Sequence, residues 1–137
     1  MSKGNTAEND VLKMVLKGTD PAWRTNANLY LSLHVGDPGE GGSQTTNECD
    51  YTGYLRVAIV KATGWSDAGS SFSNSGLIQF PQCTGGVADV ASHVAIGTVD
   101  SPGAGQILYS GELNDDLSIS NLIQPQFAIA ALVVTED

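Results

Sequence analysis

Leu29, Leu31, Leu33 and Val35 alternate with Tyr30, Ser32 and His34. A period of two over this length predicts a strand with one buried face and leaves Ser32 and His34 on the polar side. Asp37-Pro38-Gly39 ends it, because proline fixes φ and brings no N–H to a ladder, while glycine accepts positive φ. Leu55, Val57 and Ile59 resume the alternation, with Arg56 on the other face. Between the two strands, residues 40–50 have almost nothing large and apolar to bury, which predicts a surface loop. The loop is longer than the usual hairpin connection, a length that favours contact with a partner.

Upstream the period changes. Val11, Leu12, Val15 and Leu16 recur at i, i+1, i+4 and i+5, the stripe of an amphipathic helix. Thr6 is the expected cap, Glu8 and Asp10 fall in the first turns, and Lys13 and Lys17 fall late, where each charge suits the helix dipole. Gly18 is the stop signal, with Pro21 just beyond. The stripe must cover something: the open end of its own sandwich is expected, with a neighbouring subunit as the alternative. Residues 1–5 are polar and expected to be flexible unless a partner holds them. Trp23 is expected to pack under the helix.

After residue 60 the pattern reads as short strands between turns. A Ser/Gly-rich run over 66–76 holds one short strand, and 76–81 is another, closed by Pro81. Residues 90–97 alternate, with Val90, Ser92, Val94 and Ile96 on one side. Residues 106–113 form the next strand. Asn114-Asp115-Asp116 reads as a polar turn before a short strand at 117–119. Residues 126–135 end the chain as one apolar strand. About seven or eight strands at this spacing predict an all-β fold, a β-sandwich with a jelly roll as one form of it, preceded by one helix. No internal repeat or boundary divides the chain, so residues 1–137 read as one domain with an N-terminal arm and helix at 1–18.

Composition narrows the function classes. Apolar residues make up 41% and charged residues only 15% of the chain, and the net charge is -9. Such a surface argues against nucleic acid, which needs a basic stripe, and against an anionic membrane. No apolar run approaches a membrane span and no signal peptide is expected, so synthesis in a reducing cytoplasm is expected. Cys49 and Cys83 match no zinc or redox spacing and read as two free thiols.

No chemistry-bearing motif emerges. His34 and His93 each lie mid-strand among residues that are not metal ligands. Asp37, Glu40, Glu48 and Asp50 form an acidic concentration without the spacing of a calcium loop or the facing carboxylates of a glycosidase. Ser/Gly runs fit no nucleophile elbow, and Gly103-Ala-Gly105 is a turn. The expectation is therefore no enzyme, no metal and no cofactor.

One resemblance spans most of the chain. An amphipathic helix at 11–16 leads to LYLSLHVGDPGE over 29–40, and YTGYLRVAI follows. Phe80-Pro81, the strand segments at 93–97 and 107–113, and the final 133–137 come in the same order. This series resembles a family of small tailed-phage virion proteins. The resemblance implies a non-enzymatic β-sandwich in a phage particle, made in the host cytoplasm. It implies head decoration as the favoured role, with the chain binding the major capsid protein and further copies of itself as a dimer or trimer. Tail or fibre attachment is the alternative, and a receptor- or carbohydrate-binding module is a further one. The expected contact residues are Asn5, Thr6, Val11 and Val15 on the arm and helix, and Asp37, Glu40, Gln44, Thr45, Asn47 and Glu48 on the loop.

Overall fold

The computed structural model describes residues 1–136, so Asp137, the end of the last resembling segment, lies outside them. In chain order the elements are β1 (Ser2–Lys3), α1 (Asn5–Lys17), a 3₁₀ turn (Ala22–Thr25), β2 (Asn28–His34), β3 (Val57–Val60), β4 (Trp65–Asp67), β5 (Ser71–Asn74), β6 (Ile78–Gln79), β7 (Asp89–Gly97), β8 (Ile107–Ile119), β9 (Gln126–Phe127) and β10 (Val133–Thr135). A five-stranded sheet runs in the order β1-β8-β7-β2-β3, beside a three-stranded sheet β10-β5-β4 and a two-stranded sheet β6-β9. Every pairing is antiparallel. The fold is all-β and sandwich-like, as the alternating segments predict.

One apolar core joins the three sheets. Leu31, Leu33, Val94, Ile96 and Ile119 from the large sheet meet Ile78 of β6, Phe80 just after that strand, and Leu132 just before β10. Aromatic rings continue the contact: Tyr54 stacks on Phe80 at 6.3 Å, and Phe127 meets the edge of Phe80 at the same separation. Cys49 and Cys83 are both buried and unpaired.

Four local expectations are revised. Asn114-Asp115-Asp116 is not a turn between two strands but part of β8. Ala91 pairs with Leu117 and His93 with Glu112, so two steps along β7 are matched by five along β8. The polar triplet is thrown outward as a wide bulge within a continuous strand. The expected C-terminal strand is split, because the chain turns between β9 and β10 through Ala130 at φ 62°.

The arm is ordered by its own chain: Ser2 and Lys3 pair with Ser110 and Tyr109 at the sheet edge. The helix then starts at Gly4 rather than Thr6, with no side-chain cap. Backbone contacts replace the cap: the Gly4 N–H donates to the Leu108 carbonyl at 3.0 Å and the Asn5 N–H to the Glu40 carbonyl at 2.9 Å. Only glycine fits there, since a Cβ on residue 4 would lie 2.4 Å from the Ile107 carbonyl oxygen. At the other end Gly18 terminates the helix in the left-handed region, as expected.

The fourth revision concerns the polar face of β2. Ser32 and His34 are as fully buried as Leu31 and Leu33. The segment after β2 folds back over that face and covers it.

Candidate interaction surface

The covering segment is held by side chains that reach across it. His34 donates from Nδ1 to the Thr46 carbonyl at 2.8 Å, which leaves Nε2 to accept from the Ser32 hydroxyl at 2.8 Å. Burial holds the imidazole pKa below its ordinary value, so the neutral ring is favoured. Arg56, immediately before β3, grips the same segment: Nε and Nη2 each donate to a Glu48 carboxylate oxygen at 2.7 Å. Its Nη1 donates to the carbonyls of Val99, Asp100 and Gly103. The Tyr54 hydroxyl donates to Glu48 at 2.8 Å and accepts the Leu33 N–H at 3.1 Å. Gln44 is fully buried and its Oε1 accepts the Val99 N–H at 3.0 Å. Gly97 and Gly105 make room for it, since a Cβ on either would lie 2.0 Å from the Gln44 side chain.

The expected contact residues therefore divide. Gln44 and Glu48 hold the 40–50 segment in place from inside. Their polarity, which suggested a solvated loop, serves an internal network instead. Asp37, Glu40, Thr45 and Asn47 do face solvent. Asp37 accepts the Gly39 N–H at 2.8 Å in a tight turn, and Asn47 sits at φ 55° while its amide donates to the Asp37 carbonyl. Asparagine tolerates that left-handed geometry better than most residues. Glu40 accepts the Ser2 hydroxyl. Asp37 and Glu40 also line an open groove of about 990 Å³ beside β8, together with His93 and Glu112. Among the described residues, no group of three or more His, Cys, Asp or Glu side chains is placed to hold a metal ion.

On α1 the outcome is reversed from the expectation. The helix rests on the sheet through Ala7, which is buried, and through Asp10, which accepts the Trp23 indole N–H at 2.9 Å and the Gln106 amide at 3.0 Å. Those two hydrogen bonds, Gln106 first, hold the Asp10 carboxyl below its usual range. Trp23 thus braces the helix, as expected, though through its polar edge. The stripe points away: Leu12 is 57%, Val15 71% and Leu16 75% exposed. It does not cover the end of its own sandwich. Asn5 and Thr6 are exposed and Val11 is half-buried. Leu12 and Leu16 belong with Val15 on this face. The periodicity placed them on it but could not say that its lining would be left bare, since the seating is done by a small residue and an acid.

A second apolar surface had no sequence signal. Leu29, Ile96 and Tyr109 from the large sheet and Trp65, Phe72 and Val134 from the three-stranded sheet line a groove of about 210 Å³. It is lined from two separate sheets, a juxtaposition that strand patterning does not reveal.

These features describe a β scaffold with an exposed apolar stripe on α1 and an apolar groove between two of its sheets. No curated protein matches the chain. A family model described as Podophage GP4 fiber I protein gp80 matches residues 2–135. The matched span opens with the first residue of β1 and closes with the last of β10, so it takes in every strand described. It agrees with the phage-virion resemblance, and by this match the chain belongs to the family described as Podophage GP4 fiber I protein gp80.

Proposed function

We propose that the protein is a non-enzymatic structural component of a phage particle, built into its tail-fibre apparatus. The observation that carries this reading is the family match over residues 2–135. It favours fibre attachment, the alternative in the sequence reading, over head decoration. The fold supports a structural role: buried polar side chains such as Arg56, Glu48 and His34 fix loops, and large apolar side chains are left exposed on α1 and on the sheets. Its partners are other proteins of the virion and further copies of the chain, met through exposed side chains of α1 and of the 37–47 turn. The location is the assembled virion.

Electron cryo-microscopy of particles, with and without an epitope inserted at the exposed Ala68–Gly69 turn, tests the assignment. Added density on appendages at the tail vertex is expected. Density spread over the head shell instead would replace this reading with capsid decoration. Absence of the chain from purified particles would remove both.

A further inference from the structure

All six lysine and arginine residues lie within residues 1–61, beside seven acidic ones. Residues 62–137 hold eight acidic residues and no basic one. The chain is therefore close to neutral in its first part and strongly acidic in the rest. The bare stripe of α1 lies in the first part, with the exposed Lys13 and Lys17 next to it. Five of the six lining residues of the apolar groove, all but Leu29, lie in the acidic part. Asp67 is exposed and pairs directly with Phe72, so the two side chains leave the sheet on the same face. One surface thus offers aliphatic side chains flanked by ammonium groups, and another offers an apolar recess with a carboxylate at its rim.

From this complementarity we propose that α1 of one copy docks into the Trp65–Phe72 groove of a second copy. Leu12, Val15 and Leu16 enter the recess, and Lys13 and Lys17 face the acidic surface around it. Two different patches meet, so the contact is heterologous: each copy keeps one free stripe and one free groove. Such a contact either closes as a ring or continues as a chain. A small compact domain reaches fibre length only by repetition, so the continuing form is the one that suits the function proposed above. The docking itself is decided in solution and stands or falls apart from where the protein sits in a particle.

Sedimentation velocity of the full chain tests it with three proteins: wild type, Leu12→Gln/Leu16→Gln, and Phe72→Lys. Wild type is expected to grow in mass with concentration. Each variant is expected to associate at least tenfold more weakly, with an unchanged circular dichroism spectrum. An equimolar mixture of the two variants is the decisive arm, because each retains the half that the other has lost. It is expected to form a pair of chains and go no further. Should Phe72→Lys fail to fold, Asp67→Lys takes its place, since that side chain is solvent-facing. Higher salt is expected to weaken association by screening the lysines. A wild type that stays at the mass of one chain overturns the proposal, as does association untouched by the α1 substitutions. Association of wild type with no pairing in the mixture also overturns it, since that is the behaviour of a symmetric interface.

Discussion

Arg56 and Glu48 form a two-pronged ion pair in which each carboxylate oxygen accepts one guanidinium N–H at 2.7 Å. The arginine side chain has no exposed surface and that of Glu48 only 13%. The remaining guanidinium nitrogen is spent on three carbonyls of the 99–103 turn. One side chain therefore ties together three separate stretches of backbone: the entry to β3, the segment that covers β2, and a turn more than forty residues away.

Removing the carboxylate leaves a buried cation without its counter-charge. Glu48→Ala is expected to lower the unfolding free energy by about 3–5 kcal/mol, the range for breaking one half of a buried pair. Urea unfolding followed by tryptophan fluorescence measures it. The double variant Glu48→Leu/Arg56→Met is expected to recover a large part of the loss. A Glu48→Ala cost below about 1 kcal/mol would mean that the pair does not hold the segment.

Tyr54 shares the same carboxylate and also accepts the Leu33 N–H. Tyr54→Phe keeps the ring on Phe80 but strands that backbone donor in the interior. The expected loss is about 1–3 kcal/mol, read from thermal unfolding. Faster hydrogen exchange at the Leu33 amide would mark the site, and an unchanged amide would argue that another acceptor takes over.

His34 predicts an acid-sensitive fold. Its folded pKa lies below the ordinary 6.5, with burial the largest cause. Above that value the ring is neutral in both states and stability is unaffected. As pH falls through it, the unfolded chain takes up the proton more readily than the folded one, so stability declines until the folded ring protonates too. Melting temperatures are expected to fall as pH drops below about 6.5, ahead of carboxylate titration. His34→Gln is expected to flatten that slope. An equal slope in the variant would assign the sensitivity elsewhere.

The thiols are expected to be silent. Cys49 is 3% and Cys83 1% exposed, and burial pushes the Cys49 thiol up to about 12. A disulfide reagent at pH 8 should titrate neither in the native protein and both after unfolding. Rapid labelling of one thiol under native conditions would reveal local opening around it.

Much of the framework was legible in the chain. The alternation at 29–35 and 90–97 marks two neighbouring strands of the large sheet, and Gly18 marks the end of the helix at the correct residue. What escaped was set by contacts distant in sequence. Ser32 and His34 look solvated until residues 43–48 are known to fold over them. Asn114-Asp115-Asp116 has the composition of a turn, yet pairing on both sides of it with β7 keeps β8 continuous. The exposed apolar stripe was half legible: periodicity identified the apolar face of α1, but its exposure depends on how Asp10 and Ala7 seat the helix. The groove was not legible at all, because it belongs to the gap between two sheets.

The confinement of lysine and arginine to residues 1–61 also governs how the protein is detected in a particle. Trypsin has no cleavage site within residues 62–137, so the stretch from β4 to residue 137 stays in one large acidic peptide that ionises and elutes poorly. A routine tryptic survey of purified virions would know this protein by a few short peptides from its first 61 residues, and would undercount its copies. Digestion with a protease that cuts at acidic residues divides the remainder and allows the copies per particle to be counted.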